Sequence, residues 1–594
     1  MKMIVQQKLV ELIKRFGVDV AGDARRCEAL LRDFCGDQHQ REVHVLVCAV
    51  RDGIASKLVS AGNGIPTSVL WSRLVSRLHN NYGIAMPLAQ WGVQSWALAL
   101  GSVTLREINA LADENCWRAL AEEKARSGEL LRVAADGSCR FKTITEAIKA
   151  AIADDLIMVA PGLYKESLRL DSPITIIGDG QRDLIVIESQ DASCVEMRTT
   201  EACVSNLTIR CLEGDKAIAA VFIPDGRLSI IGCDLSSEVF ACVAIRGAKT
   251  NSLIKSCEIR DCRGFGVLVS DLGQNTIEDC NIYGNAKSGV IITENSNPMI
   301  RRCAITNNDL GVVVMKSGQG MIEDCEISDN KNTGIIISDK GNPVIRRCQI
   351  NDDLVVCQDG QGVIENCVLS SQKDECIVIS NNGNPVIRKC IIRDCHSIGV
   401  CVRDSGQGLI EDCDIFGNVI NIGIFRSGNP RIKSCRLHDD HQSGVFVSQS
   451  GGGVIENCDI YGSAVAGIAT KQSGNPSVRR CKIHDGKGGG LFVTESGQGT
   501  FEDCDIFGND CGGVMITDNG NPIIRKCKIH NGKANGIIVQ NNGHGTLEDC
   551  EIFGNKDKAI ESTGNCPIDV HNCTIDGVLF AVFPAETGNP ITTM

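Results

Sequence analysis

Aromatic side chains are scarce in this chain of 594 residues: Phe, Trp and Tyr together make up 4% of it. Large rings fill the space between thick layers, so their scarcity beside 62 glycines points to many turns and thin layers rather than a compact globule. Cations are outnumbered, with 60 Lys and Arg against 73 Asp and Glu, and the net charge of −13 disfavours nucleic acid or an anionic membrane as partner. No apolar run approaches the roughly 18 uncharged residues of a membrane-spanning helix. The opening MKMIVQQKLVELIKRFG has polar residues every few positions and no apolar centre of a secretion signal. Paired C-x-x-C zinc knuckles are missing, so the 32 cysteines read as free thiols in a reducing compartment. The expectation is therefore a cytoplasmic protein without metal or cofactor.

What is present divides in two. Residues 1–101 carry helical stripes: Leu9, Leu12 and Ile13; Cys27, Leu30, Leu31 and Phe34; then REVHVLVCAVRDGIASKLVSA, PTSVLWSRLVSRLHNNYG and MPLAQWGVQSWALALG. Five helices predict a small bundle whose core takes Trp91 and Trp96. His39, His44 and His79 have no carboxylate constellation around them and read as ordinary helix or surface residues. This head is similar to small helical modules fused to signalling or repeat domains in bacterial proteins, and the likeness brings no catalytic residues. A helical linker is expected over 102–130.

From about residue 131 the period changes. Cysteines recur at 211, 233, 257, 280, 303, 325, 348, 367 and 390, then at 413, 435, 458, 481, 504, 527, 550 and 573. The step is close to 23 residues, with one short gap between Cys348 and Cys367. Each coil holds three short apolar runs broken by Gly, Asn or Asp, which predicts three strands and three corners. The fold class is thus mainly β: a single-stranded right-handed parallel β-helix behind a small all-α domain. Residues 131–200 form its cap and first coils, with a covering helix at about 144–153, and residues 201–590 form the repetitive array. Equivalent positions in adjacent coils lie about 4.8 Å apart, so Cys390, Cys413, Cys435, Cys458, Cys481, Cys504, Cys527 and Cys550 stack as core.

The residues around cysteine alternate in sign. IRRC, IRKC and VRRC coils are followed by IEDC or IENC coils, and the next position repeats the pattern in Asp414, Arg436, Asp459, Lys482, Asp505, Lys528 and Glu551. Like charges stacked at strand spacing repel and opposite ones attract, so the working unit is a pair of coils.

The stretches DGSCRFKTITEAI (136–148), VAPGLYKESLRL (159–170) and ITIIGDG (174–180) resemble the pectate-lyase-like superfamily, where they cap the β-helix and form its first coils. The later repeats are similar to the superfamily's periplasmic copper-processing and carbohydrate-binding branch, and above all to the β-helix region of eukaryotic F-box proteins. The resemblance implies the fold over about 131–590 and leaves function open. Enzymes of the superfamily use clustered carboxylates on an outer face, yet no QDTL-like motif and no Asp-Pro-His-Glu tetrad is written here. The acid pair Glu502-Asp503 recurs in several coils and reads as architecture, so no catalytic residue is assigned.

One column is more suggestive. Three residues after cysteine come Phe416, His438, Tyr461, His484, Phe507, His530 and Phe553. Pointing outward, these rings would make a strip about 30 Å long that could bind sugar rings or a partner chain; otherwise they shield a corner and stack on each other. Two functions follow. The first is a non-enzymatic scaffold that presents its β-helix face to a protein partner, with the helical domain recruiting or forming a homo-oligomer. The alternative is a polysaccharide-binding or polysaccharide-modifying protein of lyase, esterase or epimerase type. Nucleic acid and membrane partners are not expected.

Overall fold

The computed structural model describes residues 2–35, 39–60, 67–101, 129–190, 192–213, 219–373, 375–563 and 566–583. The chain forms two compact units, residues 1–122 and 123–594. The expected linker helix lies almost wholly outside the described residues.

The first unit contains α1 (Lys2–Phe16), α2 (Ala24–Cys35), α3 (Gln40–Arg51), α4 (Ile54–Ser60), α5 (Thr67–Tyr82) and α6 (Met86–Ala99). The single helix expected over 41–61 is two, because Gly53 takes a left-handed φ of 68° and ends α3. Trp96 is fully buried and its indole Nε1 donates to the Leu46 carbonyl at 2.9 Å. Leu9, Leu12, Leu31 and Leu78 pack in the same core.

The second unit is a parallel solenoid. Its cap helix, Ile144–Ala150, starts on a capping box between Thr143 and Glu146, while the Glu166 carboxylate accepts from the Ile144 and Thr145 amides. Ile144 and Ala147 are fully buried on the first coil, and the helix ends at Ala150, three residues short of the expected bound. At the other end, strand Ile568–Ile575 pairs with both strands of the preceding coil, and Val578–Phe583 folds back antiparallel on it.

Between these ends each coil has three strands. Taking one coil, Val454–Glu456 precedes the cysteine, Asp459–Tyr461 follows it and Ala466–Thr470 closes the triangle. The first two types join in one bent sheet of 39 strands, and the third type stacks as a separate sheet of 18. Pairing is parallel with an unbroken register, as in Glu456↔Arg479↔Glu502. The bend falls on the residue just before cysteine, which is left-handed in successive coils: Arg480, Asp503, Lys526 and Asp549 have φ between 51° and 53°. A side chain in that region is normally Gly, Asn or Asp, so the Arg and Lys bends are held by their surroundings. Arg347, for instance, reaches Asp324 and Glu323 of the coil before it at 2.9 and 3.0 Å.

The core is what repeats. Ile455, Cys458, Ile460 and Ile468 of this coil are at most 2% exposed, and the same holds in neighbouring coils. From Cys233 to Cys573 the cysteines of the column are free thiols, each donating to the carbonyl two residues earlier, as Cys458 does to Glu456 at 3.3 Å. Burial pushes Cys233 and Cys280 well above the usual thiol range.

Five residues after cysteine stands a second ladder. The Gly-Asn corners do not turn on both residues: Gly284 and Gly417 supply the positive φ, and the asparagines point inward. Asn285 donates to Asn308, Asn308 to Asn330 and Asn330 to Asp352, at 2.8–3.1 Å. Asp352 sits in the short coil, four residues after Cys348, and is met by the Lys373 ammonium at 3.2 Å, which also donates to the Asn330 carbonyl. In a later coil the same position is Asp440, 3% exposed, accepting from Ser463 Oγ at 2.8 Å.

Candidate functional site

Two outer surfaces of the bent sheet carry polar chemistry. The first is the charged face beside the cysteine corner. Arg346 reaches Glu323, Arg388 reaches Glu365 and Arg525 reaches Glu502, at 2.6, 2.6 and 3.3 Å. Arg436 meets Asp414 at 2.5 Å, and Lys528 meets Glu551 at 3.3 Å. Alternating signs therefore neutralise one another from coil to coil, and Glu502 belongs to this lattice.

The seven-ring column rises from the strands after cysteine. Registers Phe416↔His438↔Tyr461 and His484↔Phe507↔His530 place the rings directly over one another. Their planes lie 2–17° apart, with centroids 4.6–5.4 Å apart along all six steps. The rings are half-buried except Phe553, which is 38% exposed. Each face is covered by the next ring, and the edges remain. The imidazoles are tied to the acidic coil before them: Nε2 of His438, His484 and His530 lies 3.1, 3.0 and 2.9 Å from Asp414, Asp459 and Asp505. Asp439 and Asp485 flank Nδ1 of His438 and His484 at 2.8 Å.

A third place lies outside the repeating columns. Strands Thr208–Cys211, Asp234–Ser237 and Glu258–Arg260 stack in three successive coils. The chain leaving each strand delivers a carboxylate to the same corner: Glu213, Glu238 and Asp261. With Arg263 and the Gly284 backbone below, they line a shallow, open depression of about 530 Å³. Arg263 is ion-paired with Glu213, and the Glu213 amide donates to Glu238 at 3.1 Å. Arg260 holds Asp234 through Nε and Nη2 at 3.0 and 2.9 Å and Asp261 through Nη1 at 2.6 Å. Gly284 permits the approach, since a Cβ there would stand 2.7 Å from Asp261 Oδ1. Phe240 is 44% exposed beside this corner and meets Phe265 edge-on at 5.1 Å. Three acids and the Arg263 guanidinium can hold hydroxyls or a carboxylate and can relay protons.

This cluster is not among the site residues read from the sequence. Its signal is the step of 24 residues from Cys233 to Cys257, which occurs once in the column. Among the described residues no group of three or more His, Cys, Asp or Glu side chains is arranged to hold a metal ion, and no helix is long and apolar enough to cross a membrane.

Among solved structures, the chain is similar to the pectin methylesterase of Erwinia chrysanthemi at 13% identity, over 38% of this chain and 80% of that one, with a TM-score of 0.25. The A-module of a mannuronan C-5 epimerase from Azotobacter vinelandii matches at 12% identity over 73% and 92%, with a TM-score of 0.25. A periplasmic alginate epimerase matches at 11% over 60% and 84%, with a TM-score of 0.30. Likenesses of this size transfer no residue role. They do correct two expectations. All three are carbohydrate-modifying enzymes, so the non-enzymatic scaffold and the absence of enzymatic activity are not carried forward. One is periplasmic, so the cytoplasmic setting is not carried forward either. The finer likeness to F-box and copper-processing β-helices is not supported by these matches. The family model described as right handed beta helix region matches residues 241–361, 351–450 and 421–575, more than half of the chain. With the parallel three-strand coils of the structure, this places the chain in the right-handed β-helix family.

Proposed function

We propose that this protein binds a polysaccharide on the outside of its first coils and modifies it by acid–base chemistry at the corner of Glu213, Glu238 and Asp261. The observation that supports it most is the convergence of those three carboxylates with Arg263 on one open depression, apart from the alternating columns. Arg263 suits a sugar hydroxyl or uronate carboxylate, because a guanidinium offers several fixed donors to oxygen, while Arg260 holds Asp261 in place. Glu213 and Glu238, exposed and next to each other, are placed to take a proton from a bound sugar and to return one to it. Phe240 offers an apolar surface beside them.

The test is turnover and binding of a panel comprising pectin, alginate and a neutral glucan, read by product release and by affinity electrophoresis. The wild type is expected to retard on at least one polymer and to act on it. The Glu213→Gln, Glu238→Gln pair should lower turnover by about 100-fold, within the range of general acid–base groups, with thermal unfolding unchanged. No binding to any polymer, or full turnover by the double variant, would reject the proposal.

A further inference from the structure

The third sheet of the solenoid has an outer face unlike the other two. From strand Ala219–Ile223 to strand Ile537–Val539 its fifteen strands contain two charged residues, Arg246 and Glu375. Glu375 is already paired with Arg403 at 3.2 Å. By contrast, the strands before cysteine carry a charge in coil after coil. The central outward position of the third sheet is apolar from Phe222 to Ile538, without one polar side chain, and is bracketed by Glu196 before it and Glu561 after it. Its register is continuous, as in Gly423↔Phe446↔Ala469↔Phe492↔Met515. These side chains do not fill the core, because the inward positions Val445, Ile468, Leu491 and Val514 do so at 0% exposure. Phe446, Phe492, Met515 and Ile538 remain half-buried on the outside.

A flat apolar face of this extent calls for a cover in water. Fourteen strand spacings make it about 67 Å long, and a five-residue strand about 16 Å wide, a footprint of about 1,000 Å² per copy, within which Ala244, Leu268, Val313, Val378, Cys401 and Ala469 are already shielded by their neighbours. Two such faces together would bury about 2,000 Å², the size of a stable protein interface. Charge points to the same occupant. A chain of net charge −13 repels its own copy over most of its surface, and this face is where that repulsion is weakest. We propose that two copies of this chain pair isologously, third sheet against third sheet.

Sedimentation velocity of the full chain, from sub-micromolar to tens of micromolar, should show a reversible dimer. Phe446→Lys with Phe492→Lys should weaken it by about 100-fold, as charged replacements at the centre of an apolar interface do. Circular dichroism melting should stay cooperative. If that pair fails to fold, Met515→Lys, which keeps a long unbranched side chain outside the core, reads the same contact. A wild type that stays monomeric at every concentration overturns the proposal. So does a dimer untouched by any of these variants, which would be held elsewhere, as in the helical unit. A monomer whose face variants lose affinity for a polysaccharide also overturns it, and assigns the face to a glycan.

Discussion

Asp440 shows how a single side chain departs from the column around it. The same position is Asn418, Asn509 and Asn555 in other coils, neutral amides that bond from coil to coil. Asp440 places a carboxylate there, with Oδ2 on Ser463 and Oδ1 without a hydrogen-bond partner. Burial pushes its carboxyl up from 3.8 to about 6. The folded state thus favours the proton: its contribution is fully present below pH 3.8 and is lost as pH rises through about 6. Asp440→Asn should therefore unfold at the same point as wild type near pH 4 and be more stable by about 2–3 kcal/mol above pH 7. Urea unfolding at both pH values measures it, and an equal gain at pH 4 would show that charge is not the cause.

At the scale of the coil, the paired unit can be tested by excision. Removing Gly474–Asn519, 46 residues, leaves an acidic coil followed by a basic one. Removing only Gly474–Ser496, 23 residues, brings Glu456 and Asp459 against Glu502 and Asp505. The shorter excision should be the less stable by about 1–2 kcal/mol, from several like-charge contacts of a few tenths each. The difference should shrink in high salt. Equal denaturation midpoints would assign the alternation no role in stability. The coil itself was legible in the sequence because every turn repeats Ile, Cys and Ile at fixed places, and only stacking satisfies all of them. The Glu213, Glu238, Asp261 corner was not legible, because its members come from three coils of unequal length and share no spacing. The outer face of the third sheet was hidden for a related reason: Val445, Phe446 and Val447 read as one apolar run, and period alone does not tell an outward Phe446 from its inward neighbours.

For the molecule as a whole, the thiols report the integrity of the array. Nearly all the cysteines of the stack are at most 2% exposed, whereas Cys511 is exposed. Native protein should react rapidly with a thiol reagent at Cys511, and slowly at the stack until the coils open. Cys511→Ser should reduce the fast amplitude by one equivalent and leave the slow phase alone. Fast labelling of many cysteines in the native state would mean that the stack is not closed.

The strict register has a consequence for anything that lies along this rod. Groups in one column stand at whole multiples of a single spacing, about 4.8 Å, so the molecule is a graduated scale. A polymer whose own repeat differs slightly from that graduation slides gradually out of phase, as the two scales of a vernier do. Subsites can then match it only over a limited number of units before coinciding again. Chain length would thereby become a selectable property, set by the mismatch between two periods and not by the depth of any pocket.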